Sequence, residues 1–216
     1  MEKNIIILVI ITITVATIAS AWDASPVVID KSQIKTVSLI DYPSKFNYRQ
    51  TINDCGPFNV AAVVRALGKK EINPQQFAEK TEWRLPNKYT LPWGLEKQLK
   101  ENDIGVENPN LKSLSDKEKI FFLQQRLSQG KPIIILGEKN NFEHYLTIFG
   151  FDSSKDEFYV YDSSHDKNPG LDGMTKDDSV DLPGNRIFDS EGLLSFWRNG
   201  GIYGIYEWYA VVAGKL

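Results

Sequence analysis

Cys55 is the only cysteine among 216 residues, and it stands in QTINDCGPFNVAAVVRALG, residues 50–68, directly before Gly-Pro and an apolar-periodic run. A single thiol placed where a helix begins has the makings of a nucleophile. Only the thiolate attacks, and a free cysteine deprotonates near pH ~8.5. The unsatisfied N–H groups and the dipole of a helix N-terminus favour the anion and lower that value. Pro57 suits a first helical turn, where its missing N–H costs nothing, and Gly56 is expected to let a substrate approach the backbone closely. Asp54 acts in the opposite sense, because an adjacent negative charge disfavours the thiolate. An imidazolium partner would outweigh it. The plain alternative, a cysteine buried as a small hydrophobe, does not account for this setting.

The chain has two histidines from which that partner must come. His144 opens HYLTIFGFD, so it projects from the end of an expected strand, and a rigid strand suits a base that must stay within hydrogen-bond reach. His165 lies in a polar loop and reads as solvent-exposed. A third group has to fix the imidazole tautomer through its other nitrogen. Asp162 ends the run DEFYVYDSS, and a hairpin turning at DSSKDE brings it to the same end as His144. Asp152 starts that turn at the far end and reads as a turn cap. An oxyanion also needs donors, typically a backbone N–H and a side-chain amide. The Cys55 N–H supplies one; Gln50 is the candidate for the other, with Asn53 as a nearer polar alternative. No metal or cofactor enters this chemistry.

The elements that must hold these groups can be read from period and punctuation. Val60, Val63, Val64 and Leu67 recur at helical spacing, and Gly68 is placed to stop that helix. NPQQFAEKTEW starts with a capping Asn and Pro at the first helical position. LPWGLEKQLKEND is a short amphipathic piece. Ser115 and Glu118 form a capping box, with Gly130 beyond the end of that helix. The texture then changes. KPIIILGE, HYLTIFGFD, DEFYVYDSS and IYGIYEWYAVVAG read as strands of an antiparallel sheet. A helical half followed by a sheet half implies an α+β fold with the nucleophile at a helix N-terminus. VSLIDY in the lead-in reads as an edge strand, and the Gly- and Pro-containing acidic segment 163–188 as a surface loop near the active face. That loop lacks EF-hand spacing, so a solvated loop is favoured over a calcium site. Trp83, Trp93 and Trp197 are candidates for a peptide groove, though a core position is the commoner fate of such residues.

Length and composition, with 42% hydrophobic and 25% charged residues, fit one domain of moderate size. A net charge of −3 carries no basic footprint for nucleic acid. Residues 1–21 differ in kind: Lys3, an apolar run from Ile5 to about Ile18, then Ala19-Ser20-Ala21, the pattern of a secretory signal cut after Ala21. The run is short for a membrane span, and an uncleaved anchor, which would tether the protein to a membrane, is the alternative. Residues 22–216 then form the domain. Export to the periplasm or beyond sharpens the question of Cys55, since an unpaired cysteine in an oxidising compartment points to intermolecular pairing or a reactive thiol.

Gln-x4-Cys-Gly-Pro, then His-Tyr starting a strand, then Asp162 at the next strand end, resembles the C39-like branch of papain-like cysteine peptidases, which includes the double-glycine leader peptidases of peptide-exporting ABC transporters. The resemblance covers about residues 42–212. It implies a papain-like fold with Cys55 as nucleophile, His144 as general base and acid, Asp162 as orienter and Gln50 in the oxyanion hole. The sequence departs from the pattern twice. Gln50 stands one residue closer to the cysteine than is usual, and Ser163 stands where proline commonly follows the aspartate. A fainter resemblance to phytochelatin-synthase-like proteins implies acyl transfer instead of hydrolysis. The expectation is a secreted or periplasmic cysteine peptidase or amidase acting on a peptide or protein substrate through an acyl-enzyme. A binding or assembly protein on the same scaffold, without turnover, is the alternative. The chain carries no GxxxxGK[ST] loop and no transporter.

Overall fold

A computed structural model describes residues 27–216 apart from 51, 69–70, 81, 165–181, 199 and 202–204. The proposed signal segment and His165 therefore lie outside the described residues. Strands β1 (Val37–Leu39), β2 (Ile104–Glu107), β3 (Ile133–Lys139), β4 (Phe142–Asp152), β5 (Glu157–Tyr161), β6 (Arg186–Phe188) and β7 (Ala210–Lys215) form one sheet in the order β2-β7-β3-β4-β5-β6, every pairing antiparallel. The short β1 pairs with residues 150–152 of β4, beyond the stretch that β3 uses. Helices α1 (Cys55–Gly68), α2 (Gln75–Ala78), α3 (Pro92–Glu101), α4 (Asp116–Ser128) and α5 (Ser190–Arg198) cover it.

Both faces of the sheet are dry, which explains why IIIL in β3 is apolar without alternation. Ile134 and Leu136 point into a core shared with α1, α3 and Val211, while Ile133 and Ile135 point the other way, onto α4, α5 and Trp208. Helix α1 is the most enclosed element: residues 55–65 are all buried, polar Asn59 and Arg65 included. Each polar member is hydrogen-bonded, though one terminal nitrogen of Arg65 has no partner among the described residues. Arg65 donates to the carbonyls of Ile72 and Phe46 and to the Tyr42 hydroxyl, as burial of a charged group requires.

Several local expectations change in the fold. The helix expected over 73–83 shrinks to one turn, Gln75–Ala78, with Asn73 Oδ1 accepting from the Gln75 N–H. Beyond that turn Trp83 is fully buried among α1 and α3, and the chain is held in a loop by tertiary bonds. The closing strand begins only at Ala210, because residues 205–208 form a turn with Trp208 at φ 58°. An unexpected helix, α5, follows Asp189, whose carboxylate caps the Gly192 N–H at 2.7 Å and whose carbonyl accepts from Leu193. Leu193 and Trp197, one turn apart, are its buried contacts. Of the three tryptophans considered for a groove, Trp83 and Trp197 are core residues and Trp93 is half exposed.

Candidate active site

Cys55 is the first residue of α1. Asn53, two residues earlier, adopts a left-handed φ of 64°, and the Asp54 carbonyl accepts the first helical bond from the Phe58 N–H. The turn is anchored from outside. The Asn53 side-chain amide donates to the Asn87 carbonyl at 2.9 Å, which ties it to the neighbouring loop. The Asp54 carboxylate, 2% exposed, pairs at 2.8 Å with the buried guanidinium of Arg84. Arg84 also donates to the carbonyls of Asn53, Ala78 and Lys88. The charge that the sequence set against the thiolate thus has its own counter-ion. Nothing in the sequence flagged Arg84 beyond the need of Asp54 for a partner. Gly56 serves packing, contrary to expectation: a Cβ there would lie 2.6 Å from the Thr90 side chain, so it is the helix's approach to residue 90 that needs glycine.

Asn59 ties this helix to the sheet. Its amide donates to the carbonyls of Cys55 (2.8 Å) and Tyr145 (2.9 Å), and its oxygen accepts from the Thr147 hydroxyl at 2.5 Å. A polar residue one turn after the cysteine, in an otherwise apolar helix, was the signal that could have found it.

His144 comes from β4, paired with Gly137 of β3, and Asp162 directly follows β5 at the end where Tyr161 pairs with Thr147. His144 Nε2 lies 2.7 Å from Asp162 Oδ1. The other ring nitrogen, Nδ1, is left for the thiol, and the two side chains shift one another's protonation. Burial pushes the Cys55 thiol up, but the His144 hydrogen bond and charge, with the Tyr145 and Gly56 N–H groups, outweigh it and leave the thiol below its usual value. Burial pushes His144 down, yet the Asp162 carboxylate and then the Cys55 thiol raise it to about 9. The two shifts favour a thiolate beside an imidazolium at neutral pH.

Asp162 is 1% exposed and fully engaged. Oδ1 takes His144 and the Ser164 N–H (2.9 Å); Oδ2 takes Arg186 (2.8 Å) and Lys139 (3.1 Å). Burial opposes its charge, but the His144 interaction followed by the two cations holds the carboxyl far below the usual range. The Asn185 side chain closes a pair of hydrogen bonds with the Asp162 backbone. Asn185 and Arg186 lie at the far end of the acidic segment and Ser163 and Ser164 at its start, so both ends of that segment meet at this carboxylate. Lys139, Asn185 and Arg186 carried no sequence signal. Asp152 caps its own turn through Ser154, at the other end of the hairpin.

Gln50 lies against Ser163. Its backbone N–H donates to the Ser163 carbonyl (2.8 Å), and its Oε1 accepts from the Ser163 hydroxyl (2.6 Å). The two positions where the sequence departs from the C39-like pattern are therefore in contact. Among the described residues no three His, Cys, Asp or Glu side chains gather as metal ligands, and no helix is long and apolar enough to cross a membrane.

A thiol at a buried helix start, an imidazole on a strand end and a carboxylate behind it define the architecture of a papain-like thiol hydrolase. The Peptidase_C39 like family matches residues 34–178, and the chain belongs to that family of cysteine peptidases. The peptidase domain of Streptococcus ComA, a bi-functional ABC transporter involved in a quorum sensing pathway, is similar in fold, with a TM-score of 0.50 at 12% identity over 83% of this chain and 98% of that one. A double glycine motif protease from an AMS/PCAT transporter, solved in complex with the leader peptide, gives 0.49 at 14% identity over 83% and 99%. None of the curated proteins matches the chain.

Proposed function

We propose that the protein is an exported cysteine peptidase or amidase that cleaves a peptide amide through Cys55, His144, Asp162 and Gln50. The observation that carries the reading is the 2.7 Å contact between His144 Nε2 and Asp162 Oδ1, with the thiol lowered by His144 and the imidazole raised by Asp162 and Cys55. The Cys55 thiolate attacks the carbonyl carbon, and the carbonyl electrons move onto oxygen. That oxyanion takes hydrogen bonds from the Cys55 N–H and Gln50 Nε2. His144 passes its Nδ1 proton to the departing amine as the C–N bond breaks, leaving a thioester on Cys55. The now neutral His144 takes a proton from water, which attacks the thioester and releases the acid. Asp162 keeps Nε2 protonated throughout, and the two cations behind it keep Asp162 ionised.

The extracytoplasmic address rests on the sequence of residues 3–21 and makes the substrate an extracytoplasmic peptide or protein. The test is the rate of iodoacetamide alkylation of Cys55 from pH 4 to 10, beside His144→Ala and Asp162→Asn. Rapid alkylation at pH 5 to 6 that is lost in His144→Ala is the expected result. A thiol that reacts only near pH ~8.5, indifferent to His144, would sink the reading.

A further inference from the structure

We propose that Ser163 is a positioning residue that decides which end of the Gln50 amide faces the reaction; this rests on the role given to Gln50 above. An amide is useful to an oxyanion only if its NH2 points there; turned over, it presents a repelling oxygen. A serine hydroxyl could in principle greet either end, because it both donates and accepts. Here the surroundings choose. Ser163 is fully buried, and among the described residues the only acceptor for its hydroxyl proton is Gln50 Oε1, at 2.6 Å. With the amide reversed, Nε2 would donate to Oγ and the hydroxyl proton would be a buried donor with no partner, an arrangement folded proteins avoid. The observed orientation satisfies Ser163 and leaves Nε2 without a hydrogen bond among the described residues. It is a donor held in reserve.

The clasp is built into a wider seam. Asn47 Nδ2 donates to the Gly184 carbonyl at 2.8 Å, the Tyr161 hydroxyl to the Tyr48 carbonyl at 2.6 Å, and the Gln50 N–H to the Ser163 carbonyl at 2.8 Å. Residues 47–50 thus run along the chain that carries Asp162, and Gln50 is registered against the residue next to the orienting carboxylate. The backbone seam places Gln50; only the Ser163 hydroxyl orients its amide. Removing that one oxygen leaves every backbone contact standing.

Two probes separate orientation from general damage in the full protein. Acylation of Cys55 by p-nitrophenyl acetate passes through an oxyanion, whereas alkylation by iodoacetamide does not. Ser163→Ala is expected to slow acylation by about 10-fold, part of what an oxyanion donor contributes, with alkylation within about 2-fold of the parent because Ser163 touches neither sulfur nor imidazole. Ser163→Thr, which keeps the hydroxyl, restores most of the loss. Ser163→Ala in a Gln50→Ala background costs nothing further, since Ser163 acts through Gln50. Gln50→Ala slow but Ser163→Ala normal overturns the proposal alone. So does a parallel loss of both rates in Ser163→Ala, which would mark a structural role. Unchanged acylation in Gln50→Ala removes the role given to Gln50 and the proposal with it.

Discussion

Cys55 and His144 shift one another's protonation, yet the chain holds them by different means. His144 sits on β4, with β3 bonded along one edge of its strand and β5 along the other, and Asp162 follows β5 directly. Sheet register alone brings those two together: a slip of one residue would send His144 and Asp162 to opposite faces of the sheet. Cys55 hangs at the start of α1 behind a left-handed Asn53, and what fixes it is a set of bonds to Arg84 and Asn87 and, through Asn59, to Tyr145. One half of the site is placed by a repeating pattern, the other by a few specific side chains. The pattern tolerates change; the few side chains do not.

That contrast can be tested by breaking each half in turn. The largest effect belongs to His144→Ala. Without the imidazole the thiol returns toward pKa ~8.5, and at pH 6 its alkylation by iodoacetamide should fall by about 100-fold. Stopped-flow or quenched alkylation reads it directly.

Next comes Arg84→Met on the nucleophile side. It leaves the Asp54 carboxylate buried without its counter-ion, a loss on the order of 3–5 kcal/mol, visible as a lower urea midpoint. Adding Asp54→Asn should recover part of that loss, because no bare charge remains. A double variant as unstable as Arg84→Met would assign Arg84 to packing and not to charge.

Asp162→Asn probes the other half through pH. The Asp162 carboxylate raises His144 to about 9, so its removal should move the alkaline limb of the acylation profile to lower pH. The sign for stability follows from the same shift. A histidine whose folded value lies above its unfolded ~6.5 contributes stability that is complete below that value and lost as pH rises through the folded one. In a Cys55→Ala background, which removes the thiol's opposite contribution and its share of the His144 shift, the urea midpoint should therefore fall as pH rises above 6.5, the fall ending short of about 9, with His144→Asn added as a flat control.

The smallest effect serves as a boundary. Ser115→Ala breaks the capping box of α4, on the face of the sheet away from α1, and should cost about 1 kcal/mol while leaving alkylation unchanged. A change in thiol reactivity there would mean the two faces are coupled.

The helix start at Cys55, the hairpin turning at 153–156 and the capping box at Ser115 were legible because each is local, set by spacing and turn chemistry within a few residues. Pairing His144 with Asp162 was also open to the sequence, since one hairpin joins them and its register follows from its turn. Helix α5, just beyond the acidic segment 163–188, went unseen, although Asp189 and the Leu193–Trp197 spacing announced it. The run 73–83 misled in the other direction: its caps were good, but burial of Trp83 and the bonds of Arg84 overrode helix propensity.

What the sequence by itself determined is the type of each reacting group and the local element that carries it, because turn residues and hydrophobic period act over short distances. Only the tertiary structure decided their environment. Arg84 reaches Asp54 across thirty residues of chain, Lys139 and Arg186 converge on Asp162 from two further strands, and Ser163 meets Gln50 across more than a hundred. Charge compensation and amide orientation depend on distances of a few ångströms between parts of the chain far apart in sequence. Those distances exist only once the sheet is assembled and its faces are covered.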